Sequence, residues 1–151
     1  MRVRLSPATA PSFYGIRSPE PADAEALGSL MLCAHRGTID YEGETEAEAV
    51  AEVERTFAGE HGPFSWSCSR LVERNNVLLS ATLVTYWQQR PFVAHTMTHE
   101  SHKSKGLARA CMASAMQALF AAGEFELRLV VTLENLPAVA LYQSLGFAVE
   151  E

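Results

Sequence analysis

A short basic segment, Lys103-Ser-Lys-Gly-Leu-Ala-Arg109, has the residue types that bind a phosphorylated ligand. Gly106 and Ala108 carry no bulky side chain, so the backbone N–H groups around them can approach a ligand closely. The pattern predicts that a helix begins within this segment, and the free N–H groups and the dipole of a helix start favour an anion. The two lysines and the arginine add positive charge. The segment therefore predicts a site that cradles a diphosphate.

The common phosphate-binding motifs are absent from this segment. It lacks the GxxxxGK[ST] pattern, and it has one glycine where the dinucleotide fingerprint has three. On these residues alone, an ordinary solvated turn at a helix start explains the segment equally well.

A second segment, from Asn135 to Phe147, places an amide, a phenol and a Gly-Phe pair at regular spacing. Ala138 and Tyr142 are one helical turn apart, so a helix would put the phenol beside a site that Ala138 lines. A phenol can donate a proton to a leaving group, although an isolated tyrosine is more often buried for packing.

Together the two segments resemble the two signatures of the GNAT superfamily of N-acetyltransferases. In the pattern Arg/Gln-x-x-Gly-x-Gly/Ala, Lys103 takes the first place, Gly106 the glycine and Ala108 the last place. The second signature is matched at every position, by Asn135, Ala138, Leu141, Tyr142, Gly146 and Phe147. The two signatures also stand in the family's order, with a predicted strand between them.

The resemblance implies that acetyl-CoA is the co-substrate. It also implies that an acetyl group moves to a primary amine of a small molecule or peptide by direct attack on the thioester. In this interpretation Tyr142 protonates the leaving thiolate, and a backbone N–H near Met97 or Thr98 serves the carbonyl oxygen. The residues expected to contact the cofactor are Met97, Thr98, Lys103, Ser104, Lys105, Gly106, Leu107, Ala108, Arg109, Asn135 and Ala138. The alternative is a non-enzymatic acyl-CoA-binding sensor or regulatory module of the same fold.

The general base is not evident from the sequence. His95 is the best candidate, because histidine titrates near neutrality and this residue precedes the basic segment on a predicted strand. A purely structural histidine, Glu134 as the base, and a chain of waters all remain open. His95 and His99 would lie about 13 Å apart on a strand, too far for one zinc ion. No Cys/His pair has zinc-finger spacing either, so we expect no metal site.

An acidic loop supplies the candidate acceptor-binding residues, Asp40 and Glu42. It lies where the resembled family usually builds its acceptor site, and carboxylates attract a cationic amine. The stretch from Asp40 to Glu60 contains eight acids and one base. The acids from Glu46 to Glu54 are interpreted as the solvated face of a helix.

The elements that must position these residues follow the order β-α-α-β-β-β-α-β-α-β, which predicts a mixed α/β (α+β) fold with helices on the faces of a central mixed sheet. Strands are predicted at 14–17, 66–73, 77–87, 92–98, 127–133 and 147–149. Helices are predicted at 22–35 and 45–58, from the basic segment to about 121, and at 136–145.

Residues 1–12 are expected to be a loose lead-in, and residues 13–151 a single acetyltransferase-like domain. The final strand of the resembled family is missing after Gly-Phe, so the sheet edge there needs cover from residues 1–12 or from a partner chain.

Length and charge restrict the function further. The chain has 151 residues and a formal net charge of −6, which fit one acidic domain. The acidity argues against nucleic-acid and anionic-membrane partners, and no apolar run reaches the roughly 18 residues of a membrane span. Three cysteines without a CxxC pattern indicate reduced thiols in a cytoplasmic protein. By resemblance, a homodimer is possible.

Overall fold

The computed structural model describes residues 1–7, 13–39 and 41–150. In this part of the chain the strands are β1 (Arg2–Arg4), β2 (Ile16–Arg17), β3 (Arg70–Arg74), β4 (Val77–Trp87), β5 (Arg90–Thr98) and β6 (Glu126–Leu129). The α-helices are α1 (Ala24–His35), α2 (Glu46–Phe57), α3 (Leu107–Ala121) and α4 (Leu136–Ser144). None of these helices is long and apolar enough to cross a lipid bilayer.

The strands form one mixed sheet in the order β1-β6-β5-β4-β3-β2. Strands β5 and β6 are parallel, and every other neighbouring pair is antiparallel. Asn75 and Asn76 form the hairpin turn between β3 and β4. Both asparagines adopt the left-handed backbone that such a turn requires, with φ of 52° and 63°.

Helices cover both faces of the sheet. Helices α1 and α2 pack on one face, where the buried residues include Leu27, Leu30, Val53, Leu71, Ala81 and Leu83. Helices α3 and α4 pack on the other face, where the buried residues include Val84, Met112, Leu119, Leu127, Tyr142 and Phe147. The central strand β4 is buried over residues 78–85, because helices cover it on both sides.

Helix α2 begins at a capping box formed by Thr45 and Glu48. The hydroxyl of Thr45 accepts a hydrogen bond from the Glu48 backbone N–H at 3.2 Å, and the Glu48 carboxylate accepts one from the Thr45 N–H at 3.1 Å. These two bonds satisfy two of the donors that a helix start leaves free. The buried face of the helix carries Ala49, Val53 and Thr56.

Four predicted strands are shorter in the structure, and the first of them, predicted at 14–17, is only the two-residue strand β2. Strand β3 begins only at Arg70, because residues 65–69 form a turn closed by a bond from the Ser69 N–H to the Ser65 carbonyl oxygen. Strand β6 ends at Leu129, where the chain leaves the sheet. The predicted strand at 147–149 is reduced to a single bridge at Ala148.

The N-terminal segment differs most from expectation. Residues 2–4 are not a loose lead-in, since they form β1 and pair antiparallel with β6. Val3 and Leu5 are both buried in the core. Arg2 and Ala148 also exchange backbone hydrogen bonds of 2.9 and 3.0 Å. The sheet edge expected to be open is therefore covered by the chain's own N-terminal segment, whose residues 8–12 lie outside the described residues.

Candidate functional site

A cleft opens where β5 and β6 separate. The two strands pair only at Phe92–Arg128 and Val93–Leu129. Strand β5 continues to Thr98, while the other strand ends at Leu129. The resulting β5/β6 cleft has a volume of about 820 Å³. Its walls are β5, the start of α3, one side of α4, the chain that follows β6 and the end of α1.

The open edge of β5 presents backbone groups to this cleft. The His99 N–H donates to the Leu79 carbonyl oxygen of the opposite strand at 2.7 Å. Because N–H groups alternate in direction along a strand, the Met97 N–H points the same way and the Thr98 N–H points into the cleft. Of the two predicted backbone donors, only Thr98 is therefore directed toward a ligand. Met97 contributes its side chain to the lining instead.

The basic segment forms a left-handed turn at the start of α3. Ser104 has φ of 65° and Gly106 has φ of 81°, and the helix begins at Leu107. A Cβ atom placed on Gly106 would meet no atom within 4 Å. The turn thus leaves open space beside backbone N–H groups at a helix start, which is the arrangement that an anionic group needs.

Two of the three cations in this segment already bind protein groups. The Lys103 ammonium donates to the Ala34 carbonyl oxygen at 2.9 Å and so satisfies the end of α1. Arg109 donates to the Ser144 hydroxyl and, at 3.3 Å, to the Ser144 carbonyl oxygen at the end of α4. Lys105 is exposed and makes no hydrogen bond or ion pair within the described part of the chain.

The charge of the basic turn affects the neighbouring histidine, His102. The pKa of His102 is lowered from its ordinary value, first by desolvation and then by the nearby charge of Lys105. His102 also lines the cleft.

Asn135 and Tyr142 reach the cleft from α4. The Asn135 side chain accepts a hydrogen bond from the Ala138 N–H at 3.4 Å and caps the helix. Tyr142 lies one turn beyond Ala138, is 5% exposed, and packs edge-on against Phe147 with ring centroids 5.9 Å apart. The predicted geometry is thus present, with both Ala138 and Tyr142 among the lining residues.

His95 enters the cleft from β5 and is held by α2. Its Nε2 lies 3.1 Å from the Thr56 hydroxyl and 3.4 Å from Glu52 Oε2. The Thr56 hydroxyl donates its own hydrogen to the Glu52 carbonyl oxygen at 2.9 Å, so it can only accept from the imidazole. Both partners of Nε2 are acceptors, and the neutral ring therefore carries its hydrogen there. Nδ1 is left as the proton acceptor.

Glu52 and His61 are site residues that the sequence did not reveal. Glu52 Oε2 lies 3.0 Å from His61 Nε2. The pKa of Glu52 falls from 4.5 to about 2, first because His95 hydrogen-bonds the carboxylate and also through His61, while burial opposes the fall. The side chain is only 24% exposed, so the interpretation of this acid as part of a solvated face is wrong. The signal was its position between Ala49 and Thr56 on the buried side of α2.

Of the two predicted acceptor residues, Glu42 is not brought to the cleft. Glu42 is exposed and does not line the cleft, and its backbone N–H donates a hydrogen bond to the Glu44 carboxylate at 3.2 Å. Asp40 lies outside the described residues. Glu134 is exposed and does not line the cleft either. His35 and Thr38, at and just after the end of α1, line the cleft instead.

The remaining histidines of β5 and its extension do not join His95. His99 Nδ1 accepts a hydrogen bond from the Ser101 N–H at 3.1 Å. The ring of His99 packs edge-on against that of His102, with centroids 5.4 Å apart. The structure thus keeps this pair apart from His95, in line with the strand spacing.

The sequence of the chain matches that of a known protein family. Residues 30–147 match the sequence profile of the Acetyltransferase (GNAT) family. Among curated proteins, no sequence matches the chain significantly.

Solved structures share the fold at low sequence identity. AAC(6')-Iy in complex with the bisubstrate analogue CoA-S-monomethyl-acetylneamine is 17% identical, with a TM-score of 0.69 over 93% of this chain and 94% of that one. The ribosomal-protein-S18-alanine N-acetyltransferase of Escherichia coli is 23% identical, with a TM-score of 0.69 over 90% and 78%. The putative acetyltransferase yncA of Salmonella typhimurium, solved with acetyl-CoA, is 20% identical, with a TM-score of 0.69 over 93% and 82%.

Proposed function

The chain belongs to the GNAT family of acetyltransferases, and from that premise we propose that it transfers the acetyl group of acetyl-CoA to a primary amine of a small molecule or peptide. The observation that carries the proposal is the β5/β6 cleft, which combines a free strand edge, a left-handed turn at a helix start and Tyr142. The fold neighbours solved with CoA derivatives support the co-substrate. The neighbour named for a ribosomal-protein alanine supports a peptide amine as one acceptor class.

The residues of the cleft fit CoA. Open space over Gly106 leaves room for phosphate oxygens at the backbone N–H groups of the turn. Lys105 is the cation free to approach them, and Lys103 and Arg109 add positive charge from positions fixed by α1 and α4. The free edge of β5 can pair with the amides of pantetheine as a peptide pairs with a sheet edge.

The chemistry assigned to the cleft needs a proton acceptor, a donor to the oxyanion and a proton donor. His95 Nδ1 takes the proton of the ammonium or of the attacking amine. The Thr98 N–H stabilises the oxygen of the tetrahedral intermediate. As the C–N bond forms and the C–S bond breaks, Tyr142 gives its proton to the CoA thiolate, so the products are an amide and free CoA.

The test is release of free thiol from acetyl-CoA in the presence of a panel of amines. We expect Tyr142→Phe to retain thermal stabilisation by CoA and to release thiol about 100-fold more slowly, the size of effect expected for loss of a general acid. Tyr14→Phe is the matched control, because Tyr14 is exposed and lies away from the cleft. A variant at Tyr142 that turns over at the full rate would refute its role.

The same assay distinguishes the transferase from the alternative, a non-enzymatic acyl-CoA-binding module. Stabilisation by CoA without turnover on any amine would favour the module. Absence of stabilisation by CoA would refute both functions.

A further inference from the structure

Three metal-ligating side chains from separate elements converge beside the cleft. Glu52 lies on α2, His61 in the segment after α2, and His95 on β5. One ligand atom from each lies within 4.8 Å of the other two. We propose that this group, here called the Glu52 cluster, binds a divalent transition-metal ion of the zinc class.

The spacing of the ligand atoms supports a metal site. Glu52 Oε2 lies 3.0 Å from His61 Nε2 and 3.4 Å from His95 Nε2. Bonds of about 2.0–2.1 Å to a tetrahedral zinc ion place neighbouring ligand atoms roughly 3.3–3.5 Å apart. Both imidazoles therefore direct Nε2 at one carboxylate oxygen at nearly the separation that a shared ion imposes.

The donor set has the chemistry of the zinc class. Two imidazoles and one carboxylate form the protein ligand set of several catalytic zinc sites, in which a fourth position stays open to water or substrate. Imidazole ligands favour zinc, copper and nickel over magnesium and calcium. The side chains are partly exposed, by 24% for Glu52 and 43% for His61, so an ion can enter from solvent.

Neighbouring groups orient the carboxylate. Arg55 donates from Nε to Glu52 Oε1 at 3.3 Å. His61 Nε2 lies 3.2 Å from this oxygen and 3.0 Å from Oε2, and Oε2 is the oxygen that both imidazoles approach. The charge of Arg55 is in turn offset by Glu60 at 3.4 Å. The Thr56 hydroxyl ties the α2 backbone to the ring of His95. Such partners around metal ligands fix their orientation and contribute to affinity.

Metal binding would inhibit the proposed transferase, and this part of the inference rests on the proposed function. An ion bound at Nε2 of His95 leaves the hydrogen of the neutral ring on Nδ1. Nδ1 then cannot accept the proton of the amine. The Glu52 cluster would thus be an inhibitory metal site beside the β5/β6 cleft, which His95 lines.

The binding test uses untagged protein with Cys33→Ser, which removes the partly exposed thiol. Zn²⁺ is titrated in competition with a chromophoric chelator, and one ion per chain is expected. His61→Gln and Glu52→Gln should each weaken Zn²⁺ binding at least about tenfold. His99→Gln, a histidine outside the cluster, should leave the affinity unchanged. Far-UV circular dichroism verifies that each variant is folded.

A spectroscopic measurement provides the second readout. Co²⁺ in place of Zn²⁺ should give visible absorption bands typical of four or five ligands, and these bands should be lost in His61→Gln. Failure of the parent protein to bind Zn²⁺ would overturn the proposal, as would a Zn²⁺ affinity in both His61→Gln and Glu52→Gln equal to that of the parent protein. This test uses neither acetyl-CoA nor an amine, so its failure is distinct from failure of the proposed function.

The inhibitory role is tested by measuring the rate at which the product amide forms, by mass spectrometry, with and without Zn²⁺. The ratio of the two rates should fall well below one in the parent protein and return toward one in His61→Gln. One-to-one binding with an unchanged rate ratio would retain the site and refute inhibition.

Discussion

Lys105 is the cation of the basic turn that a ligand can use without disturbing the fold. It makes no hydrogen bond or ion pair within the described ranges, whereas the Lys103 ammonium holds the end of α1 at 2.9 Å. We expect Lys105→Glu to lower CoA affinity about tenfold, or roughly 1.4 kcal/mol, at unchanged thermal stability of the free protein. Lys103→Met should lower both quantities. Calorimetry with CoA and thermal unfolding measure them, and full CoA affinity in Lys105→Glu would contradict the assignment.

Individual site residues differ in how far the sequence could predict them. The turn and Tyr142 were predictable, because their neighbours in the chain fix them on a helix start and on a helical face. Glu52 and His61 were not, since only the packing of α2 against β5 brings them to His95. Glu42 was predicted from the negative charge of its segment, but it does not line the cleft. The charge of a segment does not show where its loop lies in the fold.

Helix α3 has a glycine with positive φ at each end. Substitution of each glycine in turn distinguishes the cost of backbone strain from the loss of a ligand contact. Gly106 has φ of 81° and Gly123 has φ of 92°, and a Cβ on either would meet nothing within 4 Å. Alanine at either position should cost about 1 kcal/mol of stability. Only Gly106→Ala should also weaken CoA binding, by about tenfold or more, because its methyl group would occupy the space beside the phosphates.

The matched pair makes this prediction specific. Urea unfolding gives the stability loss, and calorimetry gives the CoA affinity of each variant. Equal CoA affinity in Gly106→Ala and Gly123→Ala would show that the phosphates do not bind at the turn.

The junction of β2 and α1 depends on one ion pair. Asp23 accepts two hydrogen bonds of 2.9 Å from Arg17, and its pKa is lowered from 3.8 chiefly for this reason. A lowered carboxyl pKa contributes stability above pH 3.8, and this stability is lost as the pH falls through the folded-state pKa. Asp23→Asn should therefore lower the free energy of unfolding by about 1 kcal/mol at neutral pH and by less in acid.

Urea unfolding of both proteins at neutral pH and near pH 2.5 measures this difference. A gap between Asp23→Asn and the parent that stayed constant over this range would mean that the charge of Asp23 is not the cause.

Periodicity predicted the helices of this chain well and its short strands poorly. The apolar stripe and capping box of α2 are local signals, and the structure confirms both. Strand β1 is only three residues long and reads Arg-Val-Arg, so no local pattern distinguishes it from a coil. Its pairing with β6 depends on residues more than 120 positions away.

At the scale of the molecule, β1 closes the sheet and contributes to the core. Leu5 is 6% exposed, whereas Leu133 is 60% exposed. Leu5→Ala should cost about 2–3 kcal/mol in urea unfolding, and the matched control Leu133→Ala should cost less than about 0.5 kcal/mol.

Loss of this packing has a second expected result. Because β6 would then present an unpaired edge, Leu5→Ala should associate more readily than Leu133→Ala in sedimentation experiments. Equal stability of the two variants would show that β1 is not an integral part of the fold.

The pairing of β1 also bears on the order in which the molecule folds. Arg2 pairs with Arg128 and Ala148, so β1 can join the sheet only when residues more than 120 positions away have taken their places. Contacts between such distant residues form slowly, because a long loop must close first. Strand β6 joins β5 at only two register positions, and the chain that follows β6 lines the cleft. We therefore expect this edge of the sheet to form late in folding, and until it forms Val3 and Leu5 expose apolar surface that favours association.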